Sequence, residues 1–101
     1  MGESIVDRVK IGFLIENQLH SMLQSRGPQK SICPSDVVRS LDAQLSNGWR
    51  EEMETIRSIA YRLAKEGKLS ILQRGFVIPI DELYSLRGPI RLRLLNDTKR
   101  I

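Results

Sequence analysis

The chain has 101 residues, of which 41% are hydrophobic, 28% charged and 5% aromatic. That supports one domain with one small core, and excludes both a disordered chain and a membrane-spanning one. The 16 basic residues outnumber the 12 acidic ones, for a net charge of +4. Residues 1–86 balance at 11 of each, so the whole excess lies in the last fifteen, at Arg87, Arg91, Arg93, Lys99 and Arg100 against Asp97.

Other classes fall away on simple grounds. Apolar runs such as Phe13–Ile15 and Phe76–Ile78 are three residues long, whereas a bilayer needs about 20. Glu3, Asp7, Arg8, Lys10 and Glu16 interrupt the first twenty residues, so no secretory segment is expected and an intracellular location, cytoplasm or nucleus, is. The single cysteine, Cys33, and the single histidine, His20, exclude an internal disulfide and argue against a metal site. No glycine-rich phosphate loop is present, and no cofactor is expected.

In chain order, residues 4 to about 24 read as a helix, opened by a capping box of Ser4 and Asp7. Ile5, Val9, Gly12, Ile15, Leu19, Met22 and Leu23 recur on one face, while Ile11 and Leu14 fall off it and call for a second cover. Gly27-Pro28 ends the helix. A short extended piece at Lys30–Ile32 leads into a helix opened by Pro34 and Asp36, ending near Gln44. Ser46-Asn47-Gly48 reads as a turn that can also cap the next helix. Trp49 to Glu66 reads as the strongest helix, burying Trp49, Met53, Ile56, Ala60, Leu63 and Ala64.

Leu69–Gln73 and Phe76–Ile78 read as a hairpin about Arg74-Gly75. Its Leu69, Ile71 and Val77 are expected to pack on the helices, with the Ser31–Ile32 piece pairing to its edge. Asp81–Leu86 suits one helical turn. Ile90–Leu94 alternates like a strand, although Ile90 and Leu94 also match a helical spacing. The fold class expected is α+β, mainly helical: a winged helix over residues 1–95, with a basic tail at 96–101.

Six segments also carry a resemblance. They are Ser31-Ile32-Cys33-Pro34-Ser35-Asp36-Val37-Val38-Arg39, Trp49-Arg50, Ile56-Arg57-Ser58-Ile59-Ala60, Glu66-Gly67 with Gln73-Arg74-Gly75, and Arg87-Gly88-Pro89-Ile90-Arg91-Leu92-Arg93. Together they resemble the signature of a family of short uncharacterised proteins, known by a domain-of-unknown-function label and regarded as winged-helix-like. The resemblance spans about residues 31–93. It implies the fold and assigns no activity and no functional residue.

Within that fold the candidate nucleic-acid contacts are Arg50, Arg57, Tyr61 and Lys65 on one flank of the long helix, Arg74 at the hairpin tip, and Arg87, Arg91 and Arg93 near the end of the chain. Folding is expected to bring them onto one positive surface. Against this, Glu51, Glu52 and Glu54 crowd the helix start, and Arg50–Glu54 and Arg62–Glu66 suit surface ion pairs. Cys33 reads as a buried structural thiol, His20 as a surface partner of Glu16 and Trp49 as a core anchor. No set of base, nucleophile and orienting group can be assembled, so an enzyme is not expected. Two functions are weighed: a non-catalytic module for double-stranded DNA, and a protein-interaction module or homodimer joined through Ile11 and Leu14.

Overall fold

The N-terminal helix shows how local periodicity and tertiary packing share control of this chain. In the computed structural model, which describes residues 5–95, α1 runs Ile5–Arg26. Only its second half buries a stripe, at Ile15, Leu19 and Leu23. Ile5 and Val9, expected on that stripe, are exposed, whereas Ile11 and Leu14 pack against the core. The apolar pattern therefore winds onto two faces, and the other segments reach only one of them. The capping residue Ser4 and the tail at 96–101 lie outside the described residues.

A two-residue strand, β1 (Ser31–Ile32), precedes α2 (Pro34–Ser40). Pro34 takes the first turn, and Asp36 accepts a hydrogen bond from the Cys33 amide at 3.4 Å. A short 3-10 helix, Asp42–Gln44, and a second, Trp49–Glu52, connect α2 to α3 (Met53–Lys65). The expected single helix from Trp49 thus begins with a tighter 3-10 segment. The cap there is Asp42, whose Oδ1 accepts the Trp49 amide at 2.9 Å, rather than the Ser46-Asn47 turn.

After α3 come β2 (Leu69–Gln73), β3 (Phe76–Val77), a 3-10 helix at Ile80–Ser85 and β4 (Arg91–Leu94). The hairpin turn places Arg74 at φ 54° and Gly75 at φ 86°. Two successive positive values suit a two-residue hairpin whose twist matches its strands. The sheet is antiparallel throughout, in the order β1-β4-β2-β3. Residues 91–94 are therefore strand, and a central one: β4 inserts between β1 and the hairpin, in place of the expected direct pairing of β1 to the hairpin edge.

The core joins Ile15, Leu19 and Leu23 of α1, Val37 and Val38 of α2, Ile56, Ala60 and Leu63 of α3, and Ile32, Ile71 and Leu92 of the sheet. Because strand side chains alternate between faces, the buried Ile71 and Leu92 fix which face meets the helices. Val77 pairs with Leu72 on the opposite face and is exposed, contrary to the expected packing. The fold is α+β and helix-dominated, compatible with a winged-helix arrangement. Among the described residues no helix is long and apolar enough to cross a membrane.

One glycine has no use inside the fold. Gly12 sits within α1, where glycine costs about 1 kcal/mol relative to alanine. A Cβ built there would meet no atom within 4 Å.

Candidate nucleic-acid interface

Three carboxylates, Glu16, Glu52 and Glu66, are spent on the fold, whereas Glu54, in the first turn of α3, lies beside Arg57, Ser58 and Tyr61. Glu52, only 1% exposed, receives two hydrogen bonds from Arg8, each 2.9 Å, and one from the Thr55 hydroxyl, also 2.9 Å. The Arg8 hydrogen bonds outweigh the burial that opposes them and hold the Glu52 carboxyl below its ordinary value. This bidentate pair ties α1 to the start of α3. Glu16 is bonded to Arg62 and lies 3.7 Å from His20, while Glu66 takes Arg62 at 3.3 Å and Lys68 at 3.5 Å. His20 and the Arg62–Glu66 pair are thus where helical spacing puts them.

The candidate cations are held differently. Arg57 donates to the Gly88 carbonyl at 3.2 Å and to the Tyr61 hydroxyl at 3.1 Å. Gln73, the last residue before the hairpin turn, donates to the carbonyls of Arg87 at 2.6 Å and Pro89 at 3.2 Å. Those two side chains pin the 87–89 loop between the α3 flank and the hairpin. The Lys65 ammonium lies 4.1 Å from the centre of the Tyr84 ring. Ser58, Tyr61, Arg62, Lys65, Glu66 and Tyr84 line an open groove of about 410 Å³. Arg57, Tyr61 and Lys65 therefore share one side of the molecule with the backbone of the 87–89 loop, and Arg74 is exposed at the tip of the hairpin that Gln73 ties to that loop. Among the described residues, none of Arg50, Arg57, Lys65, Arg74, Arg87, Arg91 and Arg93 has a carboxylate within ion-pair distance.

Three candidates lie elsewhere. Arg50 precedes the α-helical turns and stacks on Trp49, with its guanidinium 4.5 Å from the ring centre and Arg39 at 5.1 Å. That stacking replaces the expected Arg50–Glu54 pair, and Trp49 is half-buried at the margin of the core. Arg91 and Arg93 flank the buried Leu92 and so project from the sheet face turned away from the helices. Arg91 donates to the Ser31 hydroxyl at 2.7 Å and the Ser31 carbonyl at 3.0 Å. The single positive surface expected from the sequence is thus two surfaces, divided by the sheet. Cys33 is half-buried rather than enclosed, with Sγ 3.1 Å from the Ser35 hydroxyl.

Sequence reasoning misses Tyr84. Its signal is weak: one aromatic in a six-residue 3-10 segment, placed under Lys65 by the chain path after the hairpin. Among the described residues, no group of three or more His, Cys, Asp or Glu side chains is placed to hold a metal ion.

An α+β domain with a helical core and a short antiparallel sheet is thus the class of this protein. Within that class the chain belongs to the family described as "Protein of unknown function (DUF3253)", which matches residues 13–95. No curated protein matches it in sequence.

Proposed function

We propose that this protein is a non-catalytic module for double-stranded nucleic acid, with a helix-turn-helix core and a wing. Its binding surface is the α3 flank at Arg57, Tyr61 and Lys65, joined by Tyr84, the 87–89 loop with Arg87, and the wing tip at Arg74. The carrying observation is the partition of charge. The carboxylates of Glu16, Glu52 and Glu66 are taken by Arg8, Arg62 and Lys68, whereas Arg57 and Lys65 are oriented by neutral groups. Cations held in place without a counter-charge suit contact with phosphate.

Arg74 adds a second argument. Its φ of 54° is a conformation that favours glycine, asparagine or aspartate in such a turn. Propensity alone does not select arginine there, and a charge carried at the wing tip supplies a reason. Arg91 and Arg93 belong to another face and are left out of this contact set, and Arg50 stands apart on Trp49.

A protein interaction through Ile11 and Leu14 has less support, because both are partly covered by the chain's own core.

The test is fluorescence anisotropy of a labelled duplex across a salt series. Four cations reaching phosphate give a slope of log K against log salt of roughly −3 to −4. No binding at low salt would remove the proposal.

A further inference from the structure

The first half of α1 presents Ile5, Val6, Val9 and Phe13, which are 82%, 61%, 51% and 64% exposed. Ile5, Val9 and Phe13 are four residues apart, and Val6 lies beside them, so they form one stripe on the helix. Gly12 borders this stripe, in a helix interior where nothing in the fold needs the missing Cβ. A glycine at such a place, against helix propensity, fits the close approach of another backbone or side chain.

We propose that this face pairs with the same face of a second copy of the chain, as an antiparallel helix pair with its two-fold axis at Val9. In that register Val9 meets Val9, Ile5 lies level with Phe13 of the other copy, and Val6 seats over Gly12. The pattern is self-complementary, as a two-fold contact requires. An antiparallel pair opposes the two helix dipoles, which a parallel pair would align. Glu16, next along the helix, takes no part in the contact, because its carboxylate is held by Arg62.

Four such side chains offer on the order of 400–600 Å² per copy. The pair then buries about 1,000 Å² in total, the lower bound for a specific interface. A dissociation constant of roughly 10–100 μM is expected. The inference does not depend on the nucleic-acid reading.

Sedimentation equilibrium of the full chain tests it. The mass should rise from 11.6 kDa towards twice that value as concentration crosses the stated range. Gly12→Gln places a side chain in open space in the monomer, so circular dichroism should show a fold at least as stable, while self-association weakens tenfold or more. Val9→Glu should do the same on an exposed site. In a Cys33→Ser background, Val9→Cys should form an interchain disulfide much faster than Gln24→Cys. A wild-type chain that stays monomeric at 1 mM, or a Gly12→Gln chain that associates like wild type, would overturn the proposal.

Discussion

Two arginines on one helix, Arg57 and Arg62, have opposite fates. Arg62 is held by the carboxylates of Glu16 and Glu66. Arg57 is held by a backbone carbonyl and a phenol. Five residues apart on α3, they face different neighbours, and only one keeps its charge available. Net charge is therefore a poor guide to binding in this chain. What matters is which cations are consumed by the fold, and the +4 excess located at the end of the sequence does not say so.

The contrast can be broken most severely at its structural end. Arg8→Ala leaves the Glu52 carboxylate buried with only Thr55. Because Arg8 is itself partly exposed, the loss is discounted to about 2–3 kcal/mol, read by urea unfolding. The pH dependence has a definite sign. Glu52 is held below its ordinary carboxyl value of 4.5 in the folded protein. Its contribution is therefore present above that value and is lost as the pH falls through the lower folded value. The stability difference between wild type and Arg8→Ala should persist at neutral pH and shrink on the acid side, below 4.5.

At the binding end, Arg57→Glu with Lys65→Glu should weaken duplex binding by roughly tenfold or more at moderate salt. Losing the Arg57 hydrogen bonds to Gly88 and Tyr61 and the Lys65–Tyr84 contact should lower unfolding free energy by only about 1–2 kcal/mol, with the fold kept. The matched reversal on the sheet, Arg91→Glu with Arg93→Glu, should change affinity by less than about twofold once long-range attraction is screened. Smallest of all, Arg62→Ala removes two exposed pairs and should cost only a few tenths of a kcal/mol, with duplex affinity unchanged.

Much of the fold is legible in the sequence because it rests on local rules. Pro34 with Asp36, the turn at Arg74-Gly75 and the alternation at residues 91–94 each mark an element through its own backbone chemistry. The failures come where distant segments compete. Ile5 and Val9 carry the same helical period as Ile15 and Leu19, but nothing else in the chain reaches them. The long helix begins as a 3-10 segment because Asp42, seven residues earlier, takes the Trp49 amide. The position of β4 cannot be read from its alternation, since inner and outer faces look alike until the partner strands are known.

The candidate site divides in the same way. Arg57, Tyr61 and Lys65 are found from helical spacing. Separating them from Arg91 and Arg93 requires the register of the sheet, and recognising that Glu52 is neutralised requires Arg8, 44 residues away.

The most direct measurement is an amide NMR titration of the full chain with duplex DNA at low salt. Shifts centred on Arg57, Tyr61, Lys65, Arg74, Tyr84 and Arg87, fading as salt rises, are predicted. Shifts centred instead on Ser31, Ser70, Arg91 and Arg93, or none at all, would contradict a nucleic-acid surface built on the α3 flank and the wing.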